Sequence, residues 1–322
     1  MRRFFGLSLT LAGLLAGSLA MAQDSYPSKP IRILVTLSAG SQVDFLARVI
    51  GGKLADTLGQ QVIVENRPGA GGTIATAAVA GAPPDGYTLL MAAPGHAINQ
   101  SLYGHVPYRT LEDFAGVALV ARVPSVLVVP VSLGVGSVAE LVALARSKPG
   151  KLNFGSPGVG SGGHLAAEQF KLSAKLDLVH VPYKGTPEAL NDTMSGQVQM
   201  FFAPLGAALP AIKDGRLRAL AVTTAERSPS LPATPTMIEA GLAGYEIDFW
   251  YGLLAPGKTP QAIVDRLAGE VEKALKAHDV RERLLSQGAV ASYLSPQRFD
   301  AFIKAEIDKY AVLVKASGAK AE

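Results

Sequence analysis

The chain is built around one stretch, Ile31-Arg-Ile-Leu-Val-Thr-Leu-Ser-Ala-Gly-Ser-Gln-Val-Asp44. Residues 31–37 are mostly β-branched and aliphatic, which predicts a strand, and residues 38–42 are small and polar, which predicts a tight loop. Apolar residues then recur at helical spacing, at Val43, Leu46, Ile50, Leu54 and Leu58. The stretch therefore predicts a strand that enters a helix through a short loop.

A loop of this kind creates a place for an anion. The first N–H groups of a helix have no partner within the helix, and the positive end of the helix dipole lies behind them. We therefore expect Ser38–Gln42 to face a carboxylate or a phosphate. Asp44 lies in the first turn of the helix, where it is expected to brace its own loop rather than to act in acid–base chemistry.

Residues 1–22 have the features of a secretory signal peptide. Arg2 and Arg3 precede the apolar run 4–19, and the small-x-small sequence Ala20-Met-Ala22 follows it. The apolar run is short for a membrane span, so cleavage after Ala22 is favoured over an uncleaved anchor helix. The mature chain is therefore expected in the periplasm.

Composition excludes several classes of protein. Removal of 22 of the 322 residues leaves 300, enough for two domains of ordinary size, and lowers the formal net charge from +4 to +2. Lys and Arg form no basic run interleaved with aromatic residues, so a nucleic-acid binder is not predicted. Because Cys is absent, disulfides, thiol nucleophiles and a lipid-modified cysteine are excluded.

Strands and helices alternate along the chain, which predicts an α/β fold with parallel strands. A second strand–loop–helix unit consists of a strand at 152–154, the glycine-rich loop 155–163 and a helix from His164. The chain is predicted to pass between two lobes in the β-rich stretch 117–131, and to return after the strand 218–224.

Two crossings define two lobes with a cleft between them. The first lobe is predicted to comprise residues 23–122 plus 229–322, and the second residues 123–228. Ligands of open α/β sheets bind at the carboxyl ends of the strands, where both loops lie.

Three other kinds of site are considered and set aside. Gly158-Val-Gly-Ser-Gly-Gly163 matches a dinucleotide fingerprint, but the next strand has no acidic residue at its end for a ribose. His164 and Glu168 lie four residues apart on one helix face, but a third metal ligand has no candidate. A G-x-S-x-G motif is absent, which disfavours an α/β-hydrolase. No metal and no cofactor are therefore predicted.

The order of motifs resembles the Bug receptors, the extracytoplasmic solute receptors of tripartite tricarboxylate transporters. The resemblance covers nearly the whole mature chain, and it rests on 35–44, 65–72, 84–90, 155–164, 180–185, 195–198, 218–224, 235–241 and 250–256. It implies a type II-like periplasmic-binding-protein fold, in which two α/β lobes close on a small carboxylated solute like a Venus flytrap.

The same resemblance implies the binding residues. In the family, the two loops hold carboxylate groups largely through backbone N–H groups and water. The residues carried over from the first lobe are Ser38, Ala39, Gly40, Ser41, Gln42, Asp44, Pro94 and Gly95. Those from the second lobe are Ser156, Gly158, Gly160, Ser161, Gly162, His164, Phe202 and Ala203.

Departures from the family pattern concern the ligand. Thr36 stands where a proline is usual, and Ser41-Gln42 replaces part of a glycine pair. Ala203 occupies a place where an aspartate is common, so a counter-ion for an ammonium group is missing. The ligand is therefore expected to be a dicarboxylate or an aromatic carboxylate without an ammonium group.

The resemblance implies a monomeric, non-enzymatic receptor that delivers its solute to the membrane permease subunits of such a transporter. Two alternatives stay open. Closure on a ligand would serve a signalling partner equally well, and a secreted hydrolase on the same fold would need a nucleophile–base pair at the cleft.

Overall fold

The computed structural model of the protein describes residues 26–321, so the predicted signal peptide lies outside the described residues. The first part of the chain forms three successive strand–helix units. They are β1 (Ile31–Val35), α1 (Gln42–Leu58), β2 (Val62–Asn66), α2 (Thr73–Ala80), β3 (Thr88–Ala92) and α3 (Gly95–Leu102). The predicted strand and helix of the opening stretch are confirmed. Helix α3, which begins at Gly95, is not among the elements that the sequence analysis predicts.

One long strand, β4 (Phe114–Pro130), then leads into a second part that repeats this arrangement. It contains α4 (Val138–Ser147), β5 (Asn153–Ser156), α5 (Gly162–Ala174), β6 (Val179–Pro182), α6 (Thr186–Met194), β7 (Met200–Pro204), α7 (Leu205–Lys213) and β8 (Leu217–Val222). The last third contains β9 (Asp248–Pro256), α8 (Gln261–Lys276), α9 (His278–Ser286), β10 (Val290–Leu294) and α10 (Pro296–Ser317).

Within the described residues the strands form one ten-stranded mixed sheet in the order β2-β1-β3-β9-β4-β7-β5-β6, with β8 and β10 also paired to β4. The strands of the repeated units are parallel to their neighbours, β1 to β2 and β3, and β5 to β6 and β7. β4 pairs antiparallel with β7, β8, β9 and β10. The prediction of parallel strands therefore holds for β1–β3 and for β5–β7, and fails for β9, which pairs antiparallel with β3 and β4, and for the other neighbours of β4.

The sheet divides into two α/β lobes along β4. The first lobe contains β1–β3, β9 and β10, and the second contains β5–β8. β4 changes partner at residues 124–125, where Pro124 pairs with Asp248 of β9 and Ser125 pairs with Pro204 of β7. The two crossings therefore lie side by side in one antiparallel ribbon.

Residues 229–247, which precede the returning crossing, pack on the second lobe. The Tyr245 ring stacks on Phe202 at 6.0 Å between ring centroids, and its hydroxyl donates to the Ala166 carbonyl over 2.6 Å. Ile247 N–H bonds to the Thr223 carbonyl beside the ribbon. Both residues directly before β9 that make these contacts therefore touch the second lobe.

Apolar faces of the helices cover both sides of the sheet. In α1 the buried positions include Val43, Leu46, Ile50 and Leu54, as the spacing predicts. α10 packs Phe299, Ile303 and Tyr310 on the first lobe beside the buried Trp250. Within residues 26–321, no helix is both long enough and apolar enough to cross a membrane.

Candidate ligand-binding site between the lobes

A cavity of about 580 Å³ of atom-free space lies between the lobes, at the carboxyl ends of the parallel strands. The lining residues are Thr36, Leu37, Gln42, Gly71, Thr76, Ala93, Pro94, Gly95, His96, Pro157, Ser161, Gly162, Gly163, Thr186, Pro204, Phe249 and Tyr251. Five of them belong to the set that the family resemblance implied: Gln42, Pro94, Gly95, Ser161 and Gly162.

Six helices begin at or beside this cavity, α1, α2 and α3 from the first lobe and α5, α6 and α7 from the second. This follows from topology, because each helix starts where a strand of its own unit ends. The backbone N–H groups of Gln42, Val43, Gly95, Gly162 and Gly163 have no hydrogen-bond acceptor among residues 26–321. Of these residues, Gln42, Gly95, Gly162 and Gly163 line the cavity, so their N–H groups are available to a ligand.

The lining contains no Asp, Glu, Lys or Arg side chain within the described part of the chain. The positive potential of the cavity therefore comes from aligned peptide dipoles and free N–H groups rather than from cationic side chains. Such an environment stabilises an anion and offers no counter-ion to an ammonium group.

The Asp44 carboxylate stabilises the loop before α1 through hydrogen bonds, as predicted. Oδ2 of this carboxylate accepts a hydrogen bond from Gly40 N–H over 3.0 Å and another from Arg48 Nε over 3.1 Å. Burial alone would raise the pKa of Asp44, but the bonds from Arg48 and Gly40 outweigh burial and hold that pKa below its usual value. Asp44 does not line the cavity, and neither do Ser38, Ala39, Gly40 or Ser41.

The loop before α5 is braced in a similar way. The hydroxyl of the fully buried Ser156 donates to the Gly158 carbonyl over 3.0 Å and accepts from Gly158 N–H over 3.1 Å. Nδ1 of His164 accepts from Gly160 N–H over 3.2 Å. The N–H groups of Gly158 and Gly160 are therefore satisfied within the loop, whereas those of Gly162 and Gly163 are free.

Two stacked imidazole rings pack against the loop before α5. The rings of His164 and His180 lie 4.1 Å apart between centroids, and Phe154 stacks on His180 at 4.7 Å. Burial lowers the pKa of His164 to about 4 and that of His180 to about 3. A neutral His164 is required for its Nδ1 to accept the Gly160 N–H.

The buried histidines make stability depend on pH. A histidine that stays neutral in the folded state but titrates normally when unfolded destabilises the fold as pH falls from about 6.5 toward the folded pKa. His164→Asn keeps an acceptor atom near the Nδ1 position and removes the titration. We expect the slope of the unfolding free energy between pH 6.5 and pH 4 to fall by about one proton, or ~1.4 kcal/mol per pH unit.

Chemical denaturation of both proteins at several pH values measures this slope. His278→Asn is the matched control, because the His278 side chain is 86% exposed. The control should keep the wild-type slope. An unchanged slope in His164→Asn would mean that His164 is protonated in the folded state at these pH values.

A serine–histidine contact is also present, since Ser156 Oγ lies 2.6 Å from His180 Nε2. It lacks the features of a catalytic pair. Ser156 is inaccessible and its hydroxyl is engaged by Gly158, and no described carboxylate bonds to His180 to orient it. The contact therefore supports the loop.

His164 and Glu168, which were considered as metal ligands, make structural contacts on α5. His164 Nε2 and Glu168 Oε1 are 3.9 Å apart, and Glu168 pairs with Lys171 at 2.9 Å. Among residues 26–321, no group of three or more His, Asp and Glu side chains is placed to hold a metal ion.

Sequence reasoning missed the part of the lining that β9 supplies. Phe249 and Tyr251 line the cavity, whereas Trp250 between them points into the core of the first lobe. Strand alternation would have separated these side chains once β9 was placed at the cleft. Phe202 and Ala203, which were predicted to complete the site, are buried in β7, and the next residue, Pro204, lines the cavity instead.

The lobes are in contact on both sides of the cavity, so the structure is closed. On one side Ser38 N–H donates to the Lys184 carbonyl over 3.3 Å, and the Ser38 hydroxyl donates to Glu188 over 3.1 Å. On the other side Gly71 lies so close to the Val159 carbonyl that a Cβ would overlap it.

The fold and the enclosed cavity define a class, the two-lobed binding proteins. The model for the tripartite tricarboxylate transporter family receptor, TctC, matches residues 46–319. The chain therefore belongs to this receptor family, as the order of its motifs predicts.

Individual relatives agree with the family assignment. Protein BugT of Bordetella pertussis is 37% identical over 98% of this chain and 96% of its own length. The solved structure of Rhodopseudomonas palustris Rpa4515 with adipate has a TM-score of 0.89 and 38% identity, over 92% of this chain and 99% of that one. MatC from the same organism, solved with bound malate, has a TM-score of 0.87 and 33% identity, over 90% of this chain and 100% of its own. The predicted type II-like periplasmic-binding-protein fold is thereby confirmed.

Proposed function

We propose that this protein is a periplasmic receptor that closes on a small organic carboxylate, either a dicarboxylate or an aromatic carboxylate. The observation that carries the proposal is the cavity ringed by six helix N-termini, with free N–H groups from both lobes and no charged side chain in its described lining. Rpa4515 was solved with adipate and MatC with bound malate, which supports the class of ligand.

The ligand oxygens bind to the free N–H groups of Gln42 and Gly95 on one lobe and of Gly162 and Gly163 on the other. Each such hydrogen bond to a carboxylate contributes roughly 1.5–3 kcal/mol, and several suffice for about micromolar affinity after the cost of association. The other predicted site residues shape the two loops: Ser38, Ala39, Gly40, Ser41, Asp44, Ser156, Gly158, Gly160 and His164.

Ligand binding favours closure because only the closed state brings both sets of N–H groups to one anion. The moving bodies are the two lobes, predicted as residues 23–122 plus 229–322 and 123–228. Since residues 229–247 pack on the second lobe, we propose that the return crossing lies at Ile247–Asp248. The hinge is then the ribbon in which Pro124 pairs with Asp248.

The receptor is exported through its signal peptide, works as a monomer without a cofactor or catalytic activity, and delivers its solute to the membrane permease of a tripartite tricarboxylate transporter. Family membership supports this role. The alternative role of a ligand-sensing partner would use the same closure.

A pair of matched ligands tests the proposal. Succinate and aspartate differ by one ammonium group, and the described lining offers no carboxylate to pair with it. Within a panel that also contains malate, adipate and benzoate, we expect carboxylates without an ammonium group to raise the melting temperature and aspartate to have little effect. Calorimetry then gives the affinities. Tight binding of aspartate without binding of succinate would refute this choice of ligand, and no binding by any carboxylate would refute the function.

A further inference from the structure

Gln42 lines both the cavity and a second space. The second space is a groove of about 790 Å³ of atom-free space, which opens to solvent between α1, α6 and α7. Thr186 is the other residue that both spaces share. The remaining groove lining is largely apolar and includes Phe45, Pro187, Leu190, Met194, Ala207 and Pro210.

The environment of Gln42 is unusual for an amide side chain. Gln42 is the first residue of α1 and is only 4% exposed. Its Nε2 is buried and has no hydrogen-bond partner among the described residues. A buried amide donor without an acceptor is unfavourable, so an acceptor from a bound molecule would complete it.

We propose that Gln42 sets the maximum length of the ligand. Its side chain closes the cavity against the groove, and its Nε2 donates a hydrogen bond to a polar group of a ligand short enough to stay inside. A longer chain has to pass through the volume that Gln42 occupies. This inference rests on the proposed function, since it assigns a boundary to the same carboxylate site.

A series of straight-chain dicarboxylates tests the length limit: succinate, adipate, suberate and sebacate. In the wild type we expect affinity to fall at least tenfold from adipate to sebacate. Gln42→Ala removes the barrier and the donor together, so the cavity joins the apolar groove. We expect this variant to lose about tenfold for adipate and to gain at least tenfold for sebacate, which reverses the preference.

Two variants separate the possible causes. Gln42→Met keeps the length of the side chain without the amide, so it should retain the preference for short ligands with a loss of roughly 2- to 10-fold for one missing hydrogen bond. Phe45→Ala widens only the groove and should retain the wild-type preference.

The outcomes distinguish the two proposals. If Gln42→Ala weakens all ligands by one factor, or if the wild type binds sebacate as tightly as adipate, the length limit is wrong while the receptor function stands. If the wild type binds no member of the series or of the wider carboxylate panel, the proposed function fails and this inference fails with it.

Discussion

Gly162→Ala is expected to weaken carboxylate binding roughly 10- to 100-fold while leaving each lobe folded. A Cβ at this position would lie 2.7 Å from two ring carbons of Phe249, which is closer than such contacts occur. Gly162 begins α5 on the second lobe, and Phe249 lies on β9 at the edge of the first. The clash is therefore relieved when the lobes separate, so the substitution stabilises the open state relative to the closed state.

The size of this effect follows from packing. Introducing a methyl group into a well-packed contact costs about 1–3 kcal/mol, which corresponds to roughly 5- to 150-fold in affinity when the strain exists only in the bound state. Backbone strain contributes nothing, because Gly162 has no positive φ. Calorimetry with whichever carboxylate the panel identifies measures the change.

Gly52→Ala is the matched control for this substitution. Gly52 lies on the exposed side of α1 and has no atom within 4 Å of its Cβ position. Its replacement should leave affinity unchanged and raise stability by up to ~1 kcal/mol, since alanine favours a helix more than glycine does. Wild-type affinity in Gly162→Ala would mean that Phe249 does not contact Gly162 when the ligand is bound.

The two strand–loop–helix units were predictable because their signal is local. Within 31–58 a β-branched and aliphatic run is followed by a small-residue loop and a helical spacing, and within 152–174 Leu-Asn-Phe154 is followed by a glycine-rich loop and a helix. Each unit sets its own geometry, since a strand end and a helix start are adjacent in the chain. The structure confirms both units as β1–α1 and β5–α5.

The roles of individual residues within those loops were less predictable. Ser38, Gly40 and Ser156 look equivalent to Gln42 and Gly162 in a sequence, because all lie in small polar loops. Which N–H groups stay free depends on acceptors that come from elsewhere, such as His164 Nδ1 for Gly160. The places of Phe249 and Thr186 in the lining depend on how the lobes come together and have no local pattern.

Gly206→Ala is expected to hinder closure of the two lobes more than Gly162→Ala does. Gly206 is the second residue of α7 on the second lobe, and it packs on the backbone of Gln287, directly after α9 of the first lobe. A Cβ there would overlap the carbonyl group of Gln287. Because the obstacle is backbone rather than a rotatable side chain, the lobes have to remain apart or α7 has to move.

We expect Gly206→Ala to lose at least about 100-fold in affinity, since overpacking against rigid backbone lies at or above the upper end of ~1–3 kcal/mol. Small-angle scattering gives an independent measure. The wild type should become more compact when the carboxylate is added, and Gly206→Ala should keep the radius of gyration of the open form.

Gly269→Ala on α8 is the matched control, because nothing lies within 4 Å of its Cβ position, and it should close normally. The melting temperature without ligand decides how a loss of affinity is interpreted. If Gly206→Ala melts like the wild type but neither binds nor compacts, the Gly206–Gln287 contact belongs to the closed state alone. If it melts much lower, the contact exists in the open state as well, and the lobes then rotate about a fixed point at α7 rather than separating there.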